Sequence, residues 1–448
     1  MRTTRCPLDP LWTATILRVT QVTAASILTP IDPPRQDHAH SRMLVLRAHI
    51  RLEAPSTLCG ILWWSNFNRE SQQLTTPSIL SQRMPRVDAL TGLRWYAAFF
   101  VFTYHMLVFA PLPGPITAFL HQGFFGVTFF FVLSGFVLTW SASDRVSQST
   151  FYWRRFARVW PASIAALIFA IPVFYSFDPD PAQTWVKPVS IGVLALSVVL
   201  VQGWSLNPVI LFSGNPAAWT LTCEAFFYAM HPYISKILTP LKLRGSLIFV
   251  GVVILVMFGY RLFAVSSPEY FFAALPLPVV RITEFAIGMG IAWAFRRGWR
   301  PRLPVTAGIA TIALVIGATV LIPHYAAGST AAWFVNNFAN ELVTLACTIS
   351  IFAIAAASIA GRRSMLASRI HVKLGEWSYA FYLVHATFIY IALAVFGLQP
   401  ASWLNLLWFA VLLVVGLAGG AALHYFVEKP AERRMRAWKD AKDLHAVS

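Results

Sequence analysis

From Met84 onward the chain is a succession of eleven apolar segments, near residues 94–111, 121–141, 161–177, 188–205, 219–236, 247–264, 281–295, 303–322, 341–360, 376–396 and 403–426. A helix of roughly 17–25 apolar residues matches the hydrocarbon core of a bilayer, and in that medium a helix satisfies its own backbone. Hydrophobic residues make up 57% of the chain and charged ones 12%, whereas a soluble domain carries about 25% charge. The predicted fold class is all-α: a polytopic membrane helical bundle.

The charge pattern supports the same reading. The net charge of +17 does not argue for nucleic acid, because the basic residues fall in short clusters between apolar runs. They gather at Arg154/Arg155/Arg158, Lys236/Lys242/Arg244, Arg296/Arg297/Arg300/Arg302, Arg362/Arg363/Arg369/Lys373 and Lys429/Arg433/Arg434/Arg436. The loops near 111–121, 206–218, 265–280, 323–340 and 397–402 hold no Lys or Arg. The clusters are therefore expected on the cytoplasmic side of the cell (inner) membrane, with both termini inside. Three apolar segments lie between Arg158 and Lys236, yet those two sites on one side require an even number of crossings. One segment must fail to span. The candidates are 161–177 and 188–205, which are short and interrupted or flanked by Pro161, Pro172 and Pro188. The expectation is about ten transmembrane helices plus one short or re-entrant piece.

Residues 1–83 differ in kind, with nine arginines, no lysine, Pro-rich patches and no spanning run. They are expected to be a disordered N-terminal extension or the product of a start codon placed too early. Residues 84–436 would form the membrane domain and 437–448 a cytoplasmic tail. The four cysteines, Cys6, Cys59, Cys223 and Cys347, are widely spaced and form no metal or redox motif, and no metal site is expected.

One run carries chemistry. Arg94 and His105 stand eleven residues apart at the two ends of an apolar stretch, which is almost three helical turns. Both side chains then project from nearly one face, with His105 roughly 16 Å further along the helix. An ionisable group deep in a bilayer is costly unless it faces a partner or a polar cavity, so its default reading is functional.

Several ordered motifs extend this picture. Gly92-Leu93-Arg94 is followed by His105, then by GVTFFFVLSGF from Gly126 to Phe136 and YWRRFARVWP from Tyr152 to Pro161. Later come WTLTCEAFFY from Trp219 to Tyr228, Arg281 with Glu284, Phe285 and Gly288, and finally Ser378-Tyr379 with Tyr382 and His385. In joint order and spacing the region from about Arg86 to Arg436 resembles acyltransferase family 3, the multispan membrane O-acyltransferases. The resemblance implies transfer of an acyl group, commonly acetyl from acetyl-CoA, to a hydroxyl of a glycan or lipid-linked sugar. It implies acyl-CoA as co-substrate, no permanently bound cofactor, and a carbohydrate or glycolipid acceptor. Residues 1–83 have no counterpart in the family core, and the appended esterase-like domain of some members is expected to be missing.

Within that frame His105 is the candidate general base or transient acyl carrier, since a neutral imidazole near pH 7 suits proton removal from an alcohol. The alternative is a histidine hydrogen-bonded across helices for packing. Arg94, Arg155, Arg158 and Arg154 are candidates for the coenzyme A phosphates, through bidentate guanidinium contacts. Against this stand a snorkelling role for Arg94 and a topological role for the patch. Glu224 is the second catalytic candidate, orienting a histidine or binding the acceptor hydroxyl, and an ion pair with Arg281 is the structural alternative. Tyr228, Arg281, Glu284, Ser378, Tyr382 and His385 are expected to line the substrate cavity, although Arg281 and Glu284 are spaced to pair with each other. Ser378, Tyr382 and His385 form one helical stripe, and His385 lies at a depth similar to His105. Ser134 is read as a packing residue. A proton-coupled transporter or acyl-group flippase using the buried His and Glu is the competing class, weakened by the lack of an internal repeat.

Overall fold

The computed structural model describes residues 84–144 and 146–445, and these are mainly helical with almost no strand. The expectations for residues 1–83 lie outside the described residues. In chain order the α-helices are α1 (Asp88–Met106), α2 (Pro115–His121), α3 (Gly126–Trp140), α4 (Gln148–Phe174), α5 (Ile191–Val198), α6 (Pro208–Leu211), α7 (Trp219–Leu238), α8 (Leu243–Ser266), α9 (Leu277–Arg296), α10 (Val305–Tyr325), α11 (Thr330–Ile359), α12 (Arg369–Phe396), α13 (Asn405–Leu423) and α14 (Lys429–His445). A 3-10 turn joins α2 to α3, and a π turn at His424–Glu428 joins α13 to α14. Two-residue strands β1 (Tyr175–Ser176) and β2 (Lys187–Pro188) pair in parallel in the connection after α4.

Among the described residues eight helical stretches are long and apolar enough to cross a membrane: α2–α3, α4, α8, α9, α10, α11, α12, and α13 with its continuation. The protein is an integral membrane protein. Helices α1 and α7 fall outside that set and pack beside the others, α1 against α12 and α7 against α9. The expected all-α polytopic bundle is thus seen, with eight candidate spans among the described residues where the sequence reading counts about ten. Helices α8 and α10 are apolar and largely uncovered, so their sides face lipid.

The basic clusters gather at one end of the bundle, here called the basic end. Arg86 pairs with Glu376 at 2.9 Å, and Arg154 with Asp440 at 3.2 Å. Arg296 donates to the carbonyls of Trp140 and Ala142 at 2.7 and 3.0 Å, and Arg297 to that of Thr239 at 2.8 Å.

The structure decides which apolar segment fails to span. Segment 161–177 belongs to α4, a single helix that contains both Pro161 and Pro172. Segment 188–205 does not cross, because its helix α5 has only eight residues, roughly 12 Å. Its connection is sealed by side chains: Ser197 bonds Ser213 at 2.9 Å, and Asn215 Nδ2 donates to the Leu383 carbonyl at 2.5 Å. Irregular backbone at such depth is tolerated only where protein satisfies it.

Helix α1 is also shorter than its apolar run. It ends at Met106 because Pro111, Pro113 and Gly114 follow within two turns. The chain nonetheless stays inside the bundle, with Phe109 and Ala110 fully buried. The freed Phe109 carbonyl accepts from the Gln399 amide at 2.9 Å, and that of Pro111 from Asn405 Nδ2 at 2.7 Å.

Helices α3 and α9 form the tightest crossing. A Cβ at Gly135 would collide with the Phe285 carbonyl, and one at Gly288 with the Val132 carbonyl. Small residues that let helix backbones touch are the usual adhesive in lipid, where water expulsion contributes little. We expect Gly288→Val to destabilise the bundle by about 1–3 kcal/mol or more, as overpacking does. A thermal melt in detergent showing no loss would contradict this close contact.

Candidate active site

The site is built where α1, α3, α4, α7 and α12 meet. Ser147 caps α4 by accepting from the Thr150 amide at 3.1 Å, which sets the register of Arg154, Arg155 and Arg158 in the turns that follow. Gly375 lets α12 press on the Thr91 carbonyl of α1, because any Cβ there would clash. That approach brings Ser378 and Tyr382 of α12 to the same cavity as Arg94.

The cavity has a volume of about 140 Å³ and is lined by Arg94, Arg155, Arg158, Glu224, Tyr228, Ser134, Ser378, Tyr379 and Tyr382, with apolar residues of α3 closing it. Three guanidiniums face one carboxylate, so the cavity itself is cationic. Glu224 accepts the Tyr228 hydroxyl rather than pairing with Arg281. Arg158 is shared with the π turn and α14, 3.8 Å from Glu428 and 3.5 Å from Glu432. Arg94 has no hydrogen bond or ion pair among the described residues, and Arg155 Nε is buried without a partner. The Tyr382 hydroxyl is fixed to the start of α7, donating to the Ala217 carbonyl at 3.2 Å and accepting from Thr220 at 3.2 Å.

His105 and His385 do not line this cavity. They meet each other, with His385 Nε2 lying 3.1 Å from His105 Nδ1. His105 Nδ1 is also 3.0 Å from the Val101 carbonyl, and His385 Nδ1 is 3.2 Å from the Phe381 carbonyl. Carbonyl oxygens only accept, so in neutral rings both Nδ1 atoms carry the proton. His385 Nε2 is then the acceptor for His105 Nδ1–H, and His105 Nε2 keeps its lone pair. Tyr382 links the two features: it lines the cavity, and its ring centre is 5.8 Å from that of His385. His385 lies sixteen residues along α12 from Arg369 and eleven short of Phe396, roughly 24 Å and 16 Å from the two ends. The imidazole pair is therefore deep in the bundle, although His105 itself sits in the last turn of α1.

The eleven-residue register of Arg94 and His105 holds, since both face α12, one at the cavity and the other at His385. Arg154 lies off this cavity, paired to Asp440. Arg281 and Glu284 form a separate buried cluster: Arg281 pairs with Glu284 and bonds Asn340, Asn340 Nδ2 donates to Glu284 at 2.9 Å, and Thr128 donates to Asn340 at 3.0 Å. Their i, i+3 spacing already offered that pairing. Tyr379 and Thr220 lie in the quoted motifs without being singled out as site residues, and neither Asn215 nor Glu428 and Glu432 stand out in the sequence. Tyr379 stands beside Ser378 on the recognised stripe, so its adjacency was a usable signal. Nothing local marks Asn215 or Glu432.

A family model described as an acyltransferase domain matches residues 87–425. The chain is 32% identical over 378 residues to "Acyltransferase MdmB" of Streptomyces mycarofaciens, spanning 78% of this chain and 93% of that protein. It is 24% identical over 372 residues to "Putative acetyltransferase ORF330" of Acidianus two-tailed virus, covering 82% and 96% respectively. No solved structure matches. A match that runs from the start of α1 to the end of α13, and so contains both the arginine cavity and the imidazole pair, means that the chain belongs to the membrane acyltransferase family 3 and is an acyltransferase.

Proposed function

We propose that the protein transfers an acyl group, acetyl in the simplest case, from acyl-CoA to a hydroxyl of a glycan or other sugar-containing acceptor. The observation that carries this reading is the pairing of a cationic cavity with an imidazole whose Nε2 lone pair is uncommitted, joined through Tyr382. At about 10–15 Å³ per water, the cavity holds on the order of ten waters, too few for a whole coenzyme A but enough for its diphosphate or pantetheine arm. Arg94, Arg155 and Arg158 hold the anionic donor. Bidentate guanidinium contacts to phosphate are strong because both partners are charged.

The donor enters from the basic end, which on the distribution of Lys and Arg faces the cytoplasm of a cell (inner) membrane, with both termini on that side. His105 Nε2 takes the proton of the acceptor hydroxyl as the oxygen attacks the thioester carbonyl. The C–S bond breaks, and the departing sulfur recovers the proton as the free thiol of CoA. Atoms and charge balance with no further reactant. His385 acts as a positioning residue: it accepts from Nδ1–H and stabilises the imidazolium that forms during proton removal. Glu224, held by Tyr228, offsets part of the cavity's positive charge.

The test uses purified protein in nanodiscs with labelled acetyl-CoA and a panel of sugar acceptors. Free CoA thiol and acylated acceptor should appear in equal amounts. Label crossing the bilayer with its thioester intact would favour a transporter or flippase and sink the transfer reading. His385→Phe should lower kcat by roughly tenfold to a hundredfold, the range for a hydrogen bond to a charged group, with little change in KM. An unchanged kcat would remove His385 from the mechanism.

A further inference from the structure

A second cavity of about 330 Å³ adjoins the first and shares Leu138 and Arg155 with it. It lies at the basic end, between the loop after α3, the start of α4 and the last turns of α7. Arg154, Arg155 and Lys236 line it, and among the described residues that line it none is Asp or Glu. Its walls also carry flat rings: Phe151 and His231 stack at 5.0 Å with an interplanar angle of 18°, and Trp293 stands nearby on α9. Hydroxyls of Thr139, Ser141 and Ser235 add neutral polar groups.

This combination of cations without acids and stacking rings suits a phosphorylated nucleotide. The first cavity is too small for a complete coenzyme A, so the rest of the donor needs room that is continuous with it. Arg155 stands at the junction, with its Nε buried and unpartnered. We propose that the second cavity receives the 3′-phosphorylated adenosine end of the donor, with Lys236 and Arg154 on the ribose phosphate and Arg155 on the diphosphate between the cavities. The proposal rests on the reading of the donor as acyl-CoA. Lys236 is exposed on the last turn of α7, so its ammonium is available to a phosphate arriving from the basic end. Arg154 is partly exposed and leaves the exposed Asp440 when it turns to the ligand.

The experiment compares KM for acetyl-CoA with KM for acetyl-3′-dephospho-CoA, in the full-length protein in nanodiscs. The wild type should favour the phosphorylated donor by roughly tenfold or more, the worth of a charge-assisted contact. Lys236→Gln and Arg154→Gln should each compress that ratio toward one. Because Lys236 is solvent-exposed, its variant is expected to fold even if the Arg154 variant does not. Wild type that treats both donors alike, or variants that keep the full ratio, would overturn the nucleotide site and leave the acyl-CoA reading standing. Wild type that uses neither donor would overturn both.

Discussion

His105→Ala is expected to lower kcat by roughly a hundredfold to ten-thousandfold, the usual worth of a positioned general base. The expectation follows from hydrogen-bond accounting. Val101 and His385 both draw the proton to Nδ1, so the ring presents a bare Nε2. Alanine removes that lone pair without touching the arginine cavity, which His105 does not line. Steady-state release of CoA thiol measures the effect. Turnover within twofold of wild type would rule out a catalytic role. Glutamine at this position keeps polarity but cannot take the proton, so it should behave like alanine.

The second large effect concerns stability. Arg281 and Glu284 are a buried pair, the glutamate 1% exposed, closed into a network by Asn340 and Thr128. Removing one member leaves the other charge buried without compensation, which costs about 3–5 kcal/mol. Glu284→Ala should therefore melt well below wild type, whereas Glu284→Gln, which keeps an acceptor for Asn340 and Arg281, should lose less. A double variant that removes both charges, Arg281→Met with Glu284→Met, should recover part of the loss. If Glu284→Ala melts like wild type yet loses acceptor affinity, the cluster belongs to the substrate site after all.

These two predictions separate residues that the sequence grouped together. Arg94 and His105 could be placed on one helix face by arithmetic alone, and the structure puts both against α12. The stripe of Ser378, Tyr382 and His385 was visible for the same reason. Helical periodicity says which residues share a face but not which cavity that face meets. On periodicity alone His385 and Tyr382 share one cavity, whereas in the structure Tyr382 faces the arginines and His385 faces His105. Arg281 and Glu284 looked like cavity residues because a buried charge usually signals function. Their actual partner Asn340 lies on α11, beyond local inspection.

The topology shows the same limit. Composition cannot distinguish a spanning apolar run from one packed inside the protein, so 161–177 and 188–205 looked alike. What separates them is tertiary: α4 tolerates Pro161 and Pro172 within a continuous helix, while the region after α5 is held by Asn215 and Ser213. The carboxylates of the π turn and α14 are not marked by the sequence, because the C-terminal segment reads as a solvated basic tail. Glu428 and Glu432 instead meet Arg158 at the edge of the cavity.

The central claim is a division of labour, with the arginine cavity binding the donor and the imidazole pair performing the chemistry. Equilibrium binding of acetyl-CoA to wild type, Arg155→Gln and His105→Ala in nanodiscs tests it most directly. The account predicts that Arg155→Gln weakens binding by roughly tenfold to a hundredfold, as loss of a charge-assisted contact should, and that His105→Ala binds like wild type while failing to turn over. Full affinity in the arginine variant, or lost affinity in the histidine variant, would contradict it.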